Sequence, residues 1–277
     1  MKISKITTQR KRKDRYNIFT EENSREEYTF SVDENVLVTY QLKKGKTLTK
    51  AELDEIMHAD QHRKAFNDAI YYLTHSMRTE HQLRQYLIKK EYNESVVEEA
   101  IKKIKDYNYI DDEEFAKAFV RTKMNTTDKG PVVIREELYQ KGIHFDLAEK
   151  ALQQFSTEAQ LQAAQSFIQK KGKQKKNESA AAMEQRIANS LVRKGFSLET
   201  ALKAWENKIV EVSEEDEYRA VYAQGEKAKK KWKHKYSGRN LEMKIKEFLY
   251  RKGFPMFLIE KYLKETEMED EENGEKI

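Results

Sequence analysis

The sequence predicts a mainly α protein, a tandem array of three-helix repeats behind a small β-containing N-terminal head. Three observations predict it. Two prolines and nine glycines in 277 residues leave few turns, while Leu, Ala, Glu and Lys abound, a composition that favours helix. One phrase recurs, as "LYQKGI" at Leu138 to Ile143, "LVRKGF" at Leu191 to Phe196 and "LYRKGF" at Leu249 to Phe254. The period-two alternation of strands is found near the N-terminus.

The head is expected over residues 1–60. Alternation in "KISKITTQ", "RYNIFTEE" and "EYTFSV" predicts three short strands, the last two joined by a turn near Asn23-Ser24. A helix is expected to begin near Asp33 and another at Thr49, where Thr49-x-x-Glu52 forms a capping box. The repeats then follow at 61–125, 126–177 and 178–237, with a partial fourth at 238–265. Within a repeat the first helix starts at a cap, the box Thr79-x-x-Gln82, Gly130 before Pro131, or Ser179. The second follows a short turn, with Asn93 and Ser197 as caps and Pro255 as a first-turn proline. The third begins at Asp111-Asp112-Glu113-Glu114, at Ser156-Thr157-Glu158 and at Ser213-Glu214-Glu215; the fourth repeat is expected to lack it.

The recurring phrase reads as a stop signal. A glycine just past a helix end supplies positive φ cheaply, and four residues before Gly142, Gly195 and Gly253 stand Leu138, Leu191 and Leu249, with Ile143, Phe196 and Phe254 one after. Those two positions touch in a Schellman ending, and the lysine before the glycine meets the negative end of the helix dipole. A phosphate-cradling loop would need a Gly-rich run and a helix starting after it, and neither is present. The period extends to Ile134, Ile187 and Ile245, to Ala148, Ala201 and Ile259, and to Leu152, Trp205 and Leu263. An earlier copy is anchored at Glu91, with Leu83, Leu87, Tyr92, Val97 and Ile101 at the matching offsets. Internal similarity at a fixed period is the signature of a repeat protein.

Apolar residues are 38% of the chain and charged residues 36%, against a usual charged share of about 25%. That balance favours an extended form with thin cores. The net charge of +5 is uneven, because from Glu265 to Lys276 seven acids face one lysine, leaving the rest at +11. Residues 266–277 are expected to be an acidic disordered tail. No cysteine is present, which excludes disulfides and thiolate zinc sites and suits a cytoplasmic setting. The start "MKISKITTQRKRKDR" lacks an apolar signal core, and no apolar run reaches membrane-spanning length, so no membrane partner is expected.

No nucleotide loop, nucleophile elbow or kinase signature occurs, so no enzyme and no cofactor is expected. His58 and His62 are one helical turn apart, but "HADQH" lacks the glutamate of a zinc hydrolase and shows no third ligand; a solvated helix face is expected there. Asp111 and Asp112 sit where a helix begins and read as caps. Three basic clusters stand out as candidate binding residues: Arg10, Lys11, Arg12 and Lys13 with Arg15; Lys170, Lys171, Lys173, Lys175 and Lys176; and Lys230, Lys231, Lys233 and Lys235 with Lys227 and Lys229. Such clusters bind phosphates or an acidic protein face. Trp232 and Tyr236 beside the third could stack on bases, yet with Tyr218, Tyr222 and Gly225 they form one helical stripe, which reads as core.

The run "LRQYLIKKEY…VEEAIKKIKDYNYIDDEEFAKAFV" followed by "KGPVVIREELYQKGI" resembles the RecX family, regulators of the RecA recombinase. The resemblance covers about residues 60 to 265, and the head is similar to the extension of longer members. It departs at Glu91, where a glycine is expected, and at Lys227 to Arg239, which lengthens the third repeat. It implies an elongated, curved monomer lying in the groove of the RecA filament on single-stranded DNA and restraining its ATPase, strand-exchange and coprotease activities. The family has no catalytic residues. The alternative is a helical module that binds single-stranded DNA directly through its basic clusters.

Overall fold

The structure is a computed structural model that describes residues 1–22, 25–207 and 213–274; the turn expected at Asn23-Ser24 lies outside them. Three antiparallel strands open the chain, β1 (Lys2–Thr8), β2 (Arg15–Glu22) and β3 (Arg25–Asp33), in the order β1-β2-β3. Their alternation buries Ile3, Ile18, Phe30 and Val32 on one face, against Val36, Leu42, Leu48 and Ile56. Asp33 caps α1 (Glu34–Thr39) by accepting from the Asn35 N–H, and the Thr49/Glu52 capping box starts α2 (Lys50–Thr74).

Helix α2 runs unbroken through residue 60, where the head was expected to end. Its first half gives Ile56 to the head core, and its second half gives Ala65 and Ala69 to a core shared with α3 (Glu80–Lys89) and α4 (Glu94–Asp106). A buried ion pair ties the sheet to it. Arg15 Nη2 lies 2.7 Å from Asp60 Oδ2, and Asp60 Oδ1 accepts from the Asp33 N–H at 2.7 Å. Arg15 is therefore not part of the first basic cluster: its charge is spent inside, where removing one partner would strand the other.

Among the described residues nine more helices follow: α5 (Asp112–Thr126), α6 (Pro131–Gln140), α7 (Phe145–Leu152), α8 (Thr157–Lys171), α9 (Ala180–Arg193), α10 (Leu198–Glu206), α11 (Glu214–Trp232), α12 (Gly238–Arg251) and α13 (Met256–Gly274). They belong to two compact units, Met1–Ala118 with Glu137–Ala151, and Phe119–Glu136 with the residues from Leu152 onward. In the first unit α2 packs on α3 and α4. In the second, α8 packs on α9 and α10, and α11 on α12 and α13. This grouping differs by one helix from the expected repeats: α8 and α11, expected to close the second and third, pack instead on the pairs that follow them. A tandem period does not carry its own phase, because an apolar stripe on α8 or α11 could serve either neighbour. The fourth group is consequently complete, with α11 as its remaining helix. Helix α13 also corrects the expected disordered tail as far as Gly274; glutamate is a good helix former and no glycine or proline interrupts the run earlier.

All four stop signals are Schellman endings. The N–H groups of Glu91, Gly142, Gly195 and Gly253 donate to the carbonyls of Ile88, Tyr139, Val192 and Tyr250, and those of Tyr92, Ile143, Phe196 and Phe254 to Leu87, Leu138, Leu191 and Leu249. The turning residues have φ of 64°, 80°, 93° and 82°. Three of these endings also receive the start of another helix. The Thr79 hydroxyl, fully buried, donates to the Lys141 carbonyl at 2.6 Å, and the buried Ser179 hydroxyl to the Lys252 carbonyl at 2.6 Å. Between them the Gly130 N–H donates to the Lys194 carbonyl at 2.6 Å and the Val132 N–H to the Gly195 carbonyl at 3.2 Å. A Cβ on Gly195 would lie 2.6 Å from the Val133 nitrogen, and one on Gly253 2.9 Å from Ala181 Cβ. Each joint lies within one compact unit.

The joints account for Glu91. Among the described residues no helix start hydrogen-bonds to the Lys90 carbonyl, and Glu91 is exposed, so a side chain meets no neighbouring backbone and only the left-handed φ remains to be tolerated. Gly195→Val should therefore cost at least about 2 kcal/mol, since positive φ and a backbone clash add for a β-branched residue. Glu91→Gly should raise stability by up to about 1 kcal/mol by relieving the left-handed strain. Urea denaturation of the two variants checks both signs; an unchanged midpoint for Gly195→Val would mean the joint is not tight.

Candidate nucleic-acid interface

Arg10, Lys11, Arg12 and Lys13 form the connection from β1 to β2, all exposed. The connection is closed by the Arg15 N–H donating to the Arg12 carbonyl at 3.1 Å and the Gln9 N–H to the Arg15 carbonyl at 2.9 Å. Arg12 is 3.7 Å from Asp14; among the described residues Arg10, Lys11 and Lys13 have no ion-pair partner.

Lys170 and Lys171 occupy the last turn of α8, where cations complement the helix dipole, and Lys173, Lys175 and Lys176 lie in the segment before α9. All five are exposed, although Lys170 is 3.9 Å from Asp128. The segment is pinned from beneath. Glu178 takes two hydrogen bonds from Arg186, at 2.7 and 2.9 Å, and one from the Lys175 N–H at 2.9 Å; the Arg186 guanidinium holds its carboxyl below the usual range. Gln224 on α11 donates to the Asn177 carbonyl at 3.0 Å. A cavity of about 340 Å³ results, lined by Lys175, Lys176 and Asn177 on one side and Asp216 and Arg219 on the other. Arg219 was not legible as part of this cluster, because its proximity depends on how the segment folds onto α11.

Lys230 and Lys231 end α11, and Lys233 and Lys235 follow it, again all exposed. Trp232 is not a stacking platform: it packs edge-on against Phe248 at 5.4 Å within the core of α11 to α13. Gly225 lets the buried Tyr262 ring cross α11, with Tyr222 edge-on to it at 5.6 Å; of the stripe expected as core, Tyr218 and Trp232 pack on that core while Tyr222 is exposed. Tyr236 stays 38% exposed. The second and third clusters do not merge. Arg219 and Lys231 are twelve residues apart on one helix, roughly 18 Å at 1.5 Å per residue.

The remaining candidates take structural places. Asp111 Oδ1 accepts from the Glu114 N–H and caps its own helix, while Asp112 Oδ1 accepts from the Glu80 N–H at 2.9 Å and caps α3. Glu217 does the same for the Ala180 N–H at the start of α9, at 3.0 Å. His58 and His62 are not on a simply solvated face. They line a cavity of about 560 Å³ with Tyr40, Glu55, Glu99 and Lys103. Their Nε2 atoms are 3.3 Å apart, and His62 Nδ1, on a side chain only 10% exposed, is 2.8 Å from Glu99. Among the described residues no three His, Cys, Asp or Glu side chains are grouped to hold a metal, and no helix is long and apolar enough to cross a membrane.

Family models match along the chain in order: "Regulatory protein RecX N-terminal domain" over residues 1–49, the "first three-helix domain" of RecX over 65–103, the second over 111–152 and the third over 158–205 and 214–263. The bounds 158–205 and 214–263 follow the grouping of α8 with α9 and α10 and of α11 with α12 and α13. The chain is 36% identical over 261 residues to "Regulatory protein RecX" of Halalkalibacterium halodurans, covering 94% of this chain and 98% of that one. It is 40% identical over 265 residues to the protein of the same name in Bacillus subtilis, covering 96% and 98%. A "Crystal structure of regulatory protein RecX" superposes with a TM-score of 0.64 at 36% identity, covering 74% of this chain and 99% of that one.

Burial lowers the His62 pKa from its ordinary value near 6.5 more than Glu99 raises it, with His58 and Lys103 adding to the lowering. Folded His62 thus takes a proton less readily than unfolded His62, and stability should fall as pH drops below about 6.5. His62→Gln should flatten the stability curve between about pH 7 and pH 5, measured by urea unfolding at each pH. An identical slope in the variant would show that other groups carry the dependence.

Proposed function

Since the chain belongs to the RecX family of regulatory proteins, we propose that it binds the RecA recombinase filament on single-stranded DNA as a monomer and restrains its ATPase, strand-exchange and coprotease activities. The observation that carries this is the match of the head and all three helical domains, in order, to a family whose members are named as regulators. A protein acting this way needs no reactive groups of its own. It slows another protein's turnover by binding one state of the partner better than another, and the difference in affinity sets the size of the effect. Related helix pairs presented in succession suit a partner whose subunits also recur, because each further contact becomes intramolecular once the first is made.

A second reading is direct binding to single-stranded DNA, favoured by the exposure of thirteen lysines and arginines across the three clusters, from Arg10–Lys13, Lys170–Lys176 and Lys230–Lys235. The two readings separate by titration. With RecA on single-stranded DNA, ATP turnover should fall as the protein is added, hold that inhibition in large DNA excess, and be absent from the protein alone. Undiminished turnover across a wide titration would remove the regulator reading, and inhibition abolished by excess DNA would replace it with competition for DNA. Lys173→Glu/Lys175→Glu/Lys176→Glu should weaken binding to bare single-stranded DNA and shallow its salt dependence, by up to about 0.7 in log–log slope for each phosphate no longer neutralised. An unchanged slope would take this cluster out of the DNA-binding surface.

A further inference from the structure

Each helix ending shows a regularity that closing the fold does not require. The residue four before the left-handed position is core in every copy: Leu87, Leu138, Leu191 and Leu249 have no exposed surface. The next residue along is apolar too, yet it faces water. Ile88, Tyr139, Val192 and Tyr250 are between 39% and 62% exposed, although their carbonyls all serve the Schellman turn. Beyond the turn, three residues after the left-handed position, Phe145, Leu198 and Met256 are between 39% and 58% exposed, and only the first copy departs, with Glu94. A scattered exposed apolar residue is ordinary. The same two positions staying apolar and exposed in repeats that otherwise differ calls for a common cause, and exposed apolar groups edged by polar ones mark interaction sites.

The side chains themselves select the partner. Tyr139, Phe145 and Tyr250 could stack on bases, but Ile88, Val192, Leu198 and Met256 have no π face, and base stacking needs one. An apolar recess on a protein accepts all seven. The intervening exposed position is Lys89, Gln140, Arg193 and Arg251, cationic in three copies of four, and among the described residues those three cations have no ion-pair partner. Charge complementarity then asks for carboxylates at the edge of the recess. We infer that the helix-ending corners dock protein, each seating on the same kind of site, an apolar recess edged by acidic side chains, offered by a subunit of a repeating partner. This rests on the RecA-filament reading above, and it separates two surfaces by chemistry: corners for protein, basic clusters for phosphate.

The test compares Val192→Ser/Leu198→Ser and Tyr250→Ser/Met256→Ser with the unmodified protein, using labelled protein binding to RecA assembled on single-stranded DNA and, separately, to the bare DNA. Each double variant should bind the filament about tenfold more weakly, the scale of losing an interface anchor. Melting midpoint and affinity for bare DNA should not move, because the replaced side chains are exposed. Arg193→Glu/Arg251→Glu, which leaves the apolar groups in place, should weaken filament binding most at low salt and provides an independent arm should a serine variant fold poorly. Filament binding equal to that of the unmodified protein in all three would overturn the docking face while leaving the regulator reading intact. A parallel loss on bare DNA would overturn it in favour of a nucleic-acid face. No binding of the unmodified protein to the filament would remove the regulator reading, and this inference with it.

Discussion

The carbonyl oxygens of Lys141, Lys194 and Lys252 each stand at a helix end and accept a hydrogen bond from the start of another helix, from the Thr79 hydroxyl, the Gly130 N–H and the Ser179 hydroxyl. In energy a joint is modest, since a hydrogen bond nets about 0.5–1.5 kcal/mol. Its consequence is geometric. The incoming helix start comes so close that the turning residue has no room for a side chain, and that residue must also hold positive φ. Glycine meets both demands at once. Where only the second applies, at Glu91, a larger residue persists. The buried hydroxyls of Thr79 and Ser179 are used in both directions, each donating to the carbonyl and accepting from its own helix at Gln82 and Ala182.

Acidic residues complete two of these joints. Asp112 and Glu217 accept from the first N–H of α3 and α9, where a negative charge meets the positive end of the helix dipole. Burial raises the Asp112 pKa in spite of that hydrogen bond, so the carboxylate is held there at some cost. The head is joined to the helices differently, through Arg15, Asp60 and Asp33, with Asn67 donating to Asp33 at 2.9 Å. Both solutions rely on hydrogen-bonded polar groups, which suits a chain that is 36% charged and has modest apolar cores.

On the proposed reading, the same joints that hold the repeats also present them. Each Schellman turn buries one leucine and, one residue later, projects an apolar side chain into water, beside a basic one in three copies of four. Repetition of the turn then repeats the corner without further design. The basic clusters are not repeated in this way: one lies in a strand connection, one in a pinned segment and one at a helix end. Their lysines keep exposed ammonium groups because the backbone beneath is anchored by other residues, as Glu178, Arg186 and Gln224 show.

Much of the fold was legible in the residues alone. Strand alternation, capping boxes and the Leu-x-x-Lys-Gly endings are local features, set by φ preferences and by hydrogen bonds spanning a few positions, so they survive without knowledge of the rest of the chain. The period of the repeats is local in the same sense. Its phase is not, because α8 and α11 present stripes that could serve the pair before or after, and only packing chose the pair after. The continuous α2, shared between head and helices, was hidden for a like reason: nothing near residue 60 marks where one core yields to the next. The basic clusters could be found by counting charges, but the burial of Arg15, the approach of Arg219 to Lys175 and the cavity around His58 and His62 arise from residues distant in sequence. The sequence by itself determined the elements and their endings through short-range backbone physics; tertiary structure alone decided which endings receive a partner helix and which charges remain in water, since those outcomes depend on contacts that no short segment contains.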